Sequence, residues 1–337
     1  MLNQKKLGKS NIKISSIGFG GAEIGDLYEK LQDDLCNEVL KSSFQAGINF
    51  YDTSPFYGYG LSETRLGNYL SSINRDDFIL STKVGRYLTP EDPSKIDRGI
   101  WKGGLNYVPN FDYTYDGVMK SFDQSLTRLK LSKIDVCLIH DVDKWTHGEE
   151  MEKKFKIAME GAYVALSELK SQKVIGAIGV GVNETAMCTR FAKAGDFDCM
   201  ILAGRYTLLE QGGLNDFFPL AIEKNIGVIL AGVFNSGILA KGVNASSTYD
   251  YAKIPEHVAD KYFKIEKVCN EFNIPVAAAA LQFCNANKAV STMILGMDRP
   301  AQIQENIDYL NYKIDKEFWI KLIKENLIDP NSPIPKN

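Results

Sequence analysis

Eight short apolar runs, most of them followed by a helical pattern, constrain this chain more than any other feature. They lie at Ile17 to Gly20, Ile48 to Asp52, Phe78 to Lys83, Val136 to His140, Ala177 to Val180, Cys199 to Leu202, Gly227 to Ala231 and Thr292 to Gly296. Between them, Asp34 to Ala46, Asp116 to Leu129, Phe155 to Ser171, Ala186 to Ala194 and Asn215 to Lys224 repeat apolar residues with the period of an amphipathic helix. Pro275 stands at an expected first helical position before VAAAALQF. Alternating strands and helices imply a parallel sheet of the α/β class. Eight such units predict a (β/α)8 TIM barrel whose strand C-termini share one mouth. A doubly wound sheet is the alternative, but no GxGxxG follows the first run and no Pro-, Gly- or Ser-rich linker divides residues 1–337, so one domain is expected. Ahead of the repeats, Lys5 to Leu7 and Asn11 to Ile14, joined by Gly8-Lys9-Ser10, predict an N-terminal hairpin that can plug the barrel bottom.

With 337 residues and 45% hydrophobic content the chain can bury a large core. Its net charge of −3, with scattered Lys and Arg, gives no footprint for a phosphate backbone, so nucleic acid is not an expected partner. The amino terminus has no apolar leader core, and no run reaches the length of a membrane helix, which predicts a cytoplasmic protein without membrane association. The six cysteines are widely spaced without a CxxC, as buried thiols would be, and the three histidines form no ligand-like cluster, so no metal is expected. Nothing in the sequence indicates an oligomeric state.

Four polar side chains stand at or just after the ends of strand runs: Asp52, Tyr57, Lys83 and His140. In a barrel, consecutive strands would bring them to one mouth. A lysine ending an apolar strand needs a counter-charge, and Asp52 on the neighbouring strand can supply it. The pair would then place a positive charge near the Tyr57 hydroxyl, lowering its pKa and making it a general acid or base, while His140 orients the substrate oxygen. Three long loops follow strands on the same face, from about Gly85 to Thr114, Asp141 to Glu152 and Gly232 to Glu256. Their aromatic residues, Trp101, Tyr107, Phe111 and Trp145, with His147, either line a substrate or pack the loops onto the barrel.

The succession INFYDTSPFYG, STK, LIH, IGVGVNE and ILGMDRPAQIQEN resembles the aldo-keto reductase family over nearly the whole chain. The resemblance implies a (β/α)8 barrel that moves hydride between a nicotinamide cofactor and a substrate carbon. It assigns Tyr57 as proton donor and acceptor, Lys83 and Asp52 as its tuners, and His140 as the group orienting the carbonyl or carbinol. Longer strings, FYGYGLSETRLG, LIHDVDKWTHG, LAGRYTLLEQ and VFNSGILAKG, are similar to a branch that oxidises aldoses such as L-fucose and other D-threo sugars at C1. That branch also contains a pyridoxal dehydrogenase. A small-molecule sugar is the expected substrate, with pyridoxal oxidation and NADPH-dependent aldehyde reduction as alternatives. A cofactor-binding regulator without turnover, as on potassium channels, is the alternative outside enzymology.

Carried onto this chain, the family pattern gives Asn183 to the nicotinamide carboxamide. Phe234, Asn235, Ser236, Gly237 and Leu239 fall in the loop over the pyrophosphate, with backbone amides as the contacts. Gly296, Gln302, Glu305 and Asn306 fall at the adenosine. Departures are visible. Ala203 replaces a glutamine, and Ala231 replaces the aromatic that stacks on nicotinamide, leaving Arg205 or Tyr206 to hold the ring. Gly296, Met297 and Gln302 replace the Lys-Ser pair and Arg that meet a 2′-phosphate, so NAD is expected, with NADP the alternative through Arg299. Substrate candidates are Phe56, Trp101, Trp145 and Arg205.

Overall fold

The computed structural model describes residues 2–244, 247–250 and 252–335. Among them, eight parallel strands close into a barrel. They are β1 (Ile17–Gly20), β2 (Phe50–Asp52), β3 (Ile79–Val84), β4 (Val136–His140), β5 (Ala177–Val182), β6 (Cys199–Ala203), β7 (Gly227–Ala231) and β8 (Val290–Gly296). Each pairs with its neighbours in chain order, and β8 closes onto β1 through Met293↔Ile17. This is the predicted (β/α)8 barrel, and all eight apolar runs are its strands.

Strand pleat explains why these sequences read as continuous apolar runs. Their outward side chains join a core against the surrounding helices, while Phe50, Val136, Leu138, Ala177, Cys199, Ile201, Ile229 and Ile294 fill the barrel interior. Two further interior residues, Leu7 and Ile14, come from the expected hairpin, Gln4–Lys6 paired with Lys13–Ser15. Fully burying these two side chains contributes about 3–6 kcal/mol and seals the bottom. Gly8 makes that seal possible: its φ is +53°, and a Cβ there would stand 2.2 Å from the Asp198 carbonyl oxygen.

The predicted helices form at Asp33–Gln45, Tyr115–Leu129, Thr185–Ala194 and Phe217–Glu223. Phe155 to Ser171 belongs to a longer helical run, Met151–Ser171, broken by a π turn at Ala158–Ala162, where Gly161 passes against the backbone of Tyr113 and Thr114. Pro275 caps the helix Val276–Ala286 instead of starting it. Helices at Leu61–Leu70, Glu256–Glu271, Ala301–Leu310 and Lys316–Lys324 carry weaker sequence signals. The first of these buries Glu63 and Arg65 beside Leu66 and Leu70, so its inner face is mixed rather than purely apolar.

The long loops contain structure of their own. Arg86–Pro90 and Tyr107–Phe111 pair as an antiparallel hairpin with Arg86 opposite Phe111, which corrects the expectation of a plain loop after β3. Its two halves are separated by residues 91–106, too far for a local turn signal. The segment after β4 forms a helical turn at Lys144–His147. The segment after β7 forms another at Ile238–Lys241 and a short strand pair; Ala245, Ser246 and Tyr251 within it lie outside the described residues. No helix among the described residues is long and apolar enough to cross a membrane.

Candidate active site

Strand parity delivers the polar groups. Along β2, Phe50 and Asp52 share the inward face. Along β4, Val136, Leu138 and His140 do the same, so the interior core continues upward into polar residues at the mouth. Lys83 Nζ donates to Asp52 Oδ2 at 2.6 Å and to the Thr53 carbonyl oxygen at 2.8 Å. Both partners are almost fully buried, at 2% and 1% side-chain exposure, so each charge depends on the other. Tyr57 begins the tight turn Tyr57–Gly60 after β2. The turn folds there because Gly58 takes φ +60° with its α-carbon against the Gly25 carbonyl, where a Cβ would be 2.3 Å from oxygen. Lys83 Nζ lies 4.7 Å from the Tyr57 ring centroid, and the His140 ring stands edge-on to Tyr57 at 6.2 Å. The four predicted residues meet.

Their electrostatics differ from the expectation in one respect. Burial, with the carboxylates of Asp52, Asp141 and Glu23 nearby, holds the Tyr57 phenol well above its ordinary value, and Arg86 only partly opposes this. Burial outweighs the expected lowering by Lys83, whose ammonium is paired with Asp52 at 2.6 Å. Burial raises the Asp52 carboxyl, which Lys83 draws back. His140 is held well below its usual range by burial, then by the cations Arg86 and Lys83.

Arg86 was not among the expected site residues. It directly follows the STKVG segment, within what reads as loop, and only the unpredicted hairpin turns it toward the mouth. Its Nη1 is 3.0 Å from His140 Nδ1, and its Nη2 donates to Asp141 Oδ2 at 2.7 Å. Asp141 Oδ1 lies 3.4 Å from Asn183 Nδ2, and Asp143 Oδ2 accepts from the Asn183 backbone at 3.0 Å and its side chain at 3.1 Å. A hydrogen-bonded chain thus runs from the end of β4 to the end of β5.

The family model described as aldo/keto reductase family matches residues 16–325. This chain belongs to the aldo/keto reductase family. It is 37% identical to pyridoxal 4-dehydrogenase from Microbacterium luteolum, covering 96% of this chain and 98% of that protein. It is 34% identical to D-threo-aldose 1-dehydrogenase from Pseudomonas sp, covering 95% and 96%. In fold it matches the glycerol dehydrogenase from Gluconobacter oxydans with a TM-score of 0.75 at 21% identity, covering 99% of this chain and 97% of the other. The protein is accordingly an oxidoreductase of a family that uses nicotinamide cofactors and acts on CH–OH groups.

Residues of this aldo/keto reductase expected at the dinucleotide occupy the mouth between β5 and β8. Ala203 and Ala231 are paired in register at the ends of β6 and β7. Tyr206 does not join them: it is buried, stacked on Phe283 at 5.3 Å and near Phe218 at 4.5 Å, behind the barrel wall. Arg205 is likewise committed, with Nη1 and Nη2 on Asp250 at 3.2 and 2.8 Å and Nε on the Asn183 carbonyl at 3.2 Å. After β7, Asn235, Ser236 and Gly237 all take positive φ. The turn spends the amides of Asn235, Ile238 and Leu239 on Gly232, Asn235 and Phe234 carbonyls. It leaves those of Phe234, Ser236 and Gly237 without a partner among the described residues. This narrows the expectation for Leu239, whose side chain is core and whose N–H is used.

At the far end, Gln302 Oε1 accepts from the backbone of Asp298 and Arg299 at 2.8 and 3.1 Å, closing its own turn. Gly296 is exposed at the end of β8, Glu305 is exposed and Asn306 buried on the following helix, and Arg299 is exposed. A carboxylate absent from the expectations, Glu23, covers Gly296 so closely that a Cβ there would be 2.0 Å from Glu23 Oε1. Burial, with Asp298 adding to it, raises Glu23 to about 7.

The substrate candidates separate. Trp101 is buried, 5.6 Å from the Tyr57 ring and edge-on to Phe56 at 5.5 Å, so the first loop does bring aromatic surface to the site. Trp145 is 50% exposed and lies 5.6 Å from the Arg205 guanidinium, away from these rings. His147 is held by Tyr113, whose hydroxyl lies 2.9 Å from its Nε2.

Proposed function

We propose that the protein oxidises the anomeric C1 hydroxyl of an aldose, L-fucose or another D-threo sugar, to the lactone, with NAD as cofactor. The observation that carries this is the convergence of the Lys83–Asp52 pair, Tyr57 and His140 at one mouth, with Lys83 Nζ 4.7 Å from the Tyr57 ring centroid. Similarity to the D-threo-aldose and pyridoxal dehydrogenases supports a cyclic hemiacetal as the substrate class.

The cofactor fits the residues present. Asn183 would meet the carboxamide, and Ala203 and Ala231, paired at the ends of β6 and β7, put only methyl groups beside it. The unpartnered amides of Phe234, Ser236 and Gly237 suit an anionic pyrophosphate. Gly296, Gln302, Glu305 and Asn306 would border the adenosine, with exposed Arg299 beside them and Lys241 near enough to act on Glu23. A bound oxidised nicotinamide would supply the acceptor for the C1 hydride. Tyr57 takes the hydroxyl proton as the C1–H bond breaks, Lys83 and Asp52 hold the field around its ring, and His140 donates a hydrogen bond to the same oxygen. Phe56 and Trp101 supply the apolar wall on which a sugar face packs.

One observation favours a second reading. The raised Tyr57 phenol is a better proton donor than acceptor in the free protein, which suits carbonyl reduction. Initial rates of NADH formation with a panel of aldoses and pyridoxal, and of NADH or NADPH consumption with aldehydes, distinguish the readings. L-fucose or a sugar of the same hydroxyl pattern should exceed its epimers by about tenfold or more, because an inverted hydroxyl leaves site groups unpaired. Equal rates for all aldoses, or pyridoxal far ahead of every sugar, would overturn the sugar assignment. Binding of NAD without turnover of any substrate would indicate a regulator.

A further inference from the structure

The Arg86 guanidinium is too enclosed to be a surface charge. Its side chain is 5% exposed and contacts two rings, 4.6 Å from the Phe56 centroid and 4.1 Å from the Phe111 centroid. The guanidinium is planar, and the two ring contacts hold that plane in place. In that plane Nη2 meets Asp141 Oδ2 at 2.7 Å and Nη1 meets His140 Nδ1 at 3.0 Å.

Chemistry fixes the proton in the second contact. A guanidinium offers donors and no acceptor, so Nδ1 of His140 must be the acceptor and carry no hydrogen. Ser54 Oγ, 3.2 Å from the same Nδ1, accepts from the Phe56 amide at 3.1 Å and keeps its own hydrogen for the imidazole. The ring proton therefore sits on Nε2. That atom is 3.5 Å from Asp141 Oδ2, beyond a good hydrogen bond, and remains available to a substrate oxygen.

We propose that Arg86 is a positioning residue that fixes His140 as a neutral Nε2–H donor, leaving Tyr57 as the sole proton carrier of the site. The proposal rests on the role given to His140 above. The groups facing His140 support it from each side: Lys83 and Asp52 from β3 and β2, Ser54 and Tyr57 from the segment after β2, Arg86 from the hairpin, Asp141 from its own loop. The Tyr113 hydroxyl donates to the His140 carbonyl at 2.8 Å, with His147 behind it. Of the two carboxylates, Asp52 is taken by Lys83 and Asp141 by Arg86. Removing Arg86 frees Asp141 beside Nε2 and at the same time removes the donor from Nδ1. Both changes favour the imidazolium.

The test uses the whole protein labelled with 15N-histidine; only His140, His147 and His257 contribute. Nitrogen shifts should report a neutral Nε2–H tautomer for His140 from about pH 5 to 8. In Arg86→Met, His140 should titrate at or above about pH 6.5, and kcat/KM should gain an acid limb absent from the native enzyme. Turnover should fall by about 10- to 100-fold while NAD affinity stays within about twofold, and Arg86→Lys should fall between, keeping charge without the planar fork. An Nδ1–H or imidazolium form of native His140 at neutral pH overturns the proposal. So does a folded Arg86→Met with the native tautomer and pH profile. Should that variant not fold, the native spectrum decides alone. Because the spectrum needs no turnover, a correct tautomer in a protein inactive on every carbinol would reject the function and keep the role of Arg86.

Discussion

The two sides of the barrel mouth are built on different physics. After β2, β3 and β4, charged side chains are buried and paired: Lys83 with Asp52, Arg86 with Asp141 and His140, and behind them Glu63 with Arg128 and Thr82. After β7 and β8, the mouth offers backbone amides, left-handed turn residues and a glycine, with the half-buried Glu23 carboxylate reaching over from the segment after β1. The first side holds atoms in fixed positions with strong, mutually dependent contacts. The second presents a surface that an elongated ligand can complete. A side chain placed for proton transfer needs a dry and exact electrostatic setting, whereas a dinucleotide brings its own charge and area.

The sharpest way to break this comparison is to remove one hydroxyl. Tyr57→Phe should lower turnover by about two to four orders of magnitude with cofactor affinity and melting temperature nearly unchanged. A variant retaining above about a tenth of native turnover, with chemistry limiting, would remove Tyr57 from the proton step.

Next comes the ion pair. Lys83→Met strands the Asp52 carboxylate, 1% exposed, without its cation, so denaturant unfolding should report a loss of about 3–5 kcal/mol. Adding Asp52→Asn should recover a substantial part of it. If the single variant costs less than about 1 kcal/mol, the pair is not the mutually dependent unit described above.

On the other side effects should be smaller. Without cations at Gly296, Met297 and Gln302, NAD should exceed NADP in kcat/KM by about tenfold, roughly 1.4 kcal/mol. A preference for NADP that vanishes in Arg299→Ala would show that this exposed arginine completes the site.

The smallest effect concerns Glu23, raised to about 7 in the folded protein. The folded state binds its proton more tightly than the unfolded chain, so stability falls as pH rises from about 4.5 to 7. Glu23→Gln should therefore gain on the order of 1 kcal/mol relative to native above neutrality and nothing near pH 4. Equal curves across that range would place Glu23 in water.

Much of the proton side was legible because its residues end apolar runs. Asp52, Lys83 and His140 sit where strand parity turns inward, and a lysine in such a place signals a buried partner. Arg86 was not legible, since its place depends on a hairpin whose halves are separated by residues 91–106. Tyr206 misled for the opposite reason. Its position after β6 suggests the mouth, but packing on Phe283 claims it, whereas Arg205 stays against Asn183 and is tied to Asp250. Glu23 carried no signal at all; its shift arises from desolvation, with Asp298 adding to it and Lys241 opposing it.

The sequence by itself determined the barrel, the order of its strands and the meeting of Asp52, Tyr57, Lys83 and His140. Periodicity is a local property, and consecutive parallel strands leave little choice of neighbour. Tertiary structure alone decided the protonation of the site. It set Tyr57 above its ordinary range and His140 below, because a pKa depends on desolvation and on charges brought together from β2, β3, β4 and the hairpin. The sign of each shift follows from which charge ends up nearest and how much water is excluded, and neither is encoded by any one segment.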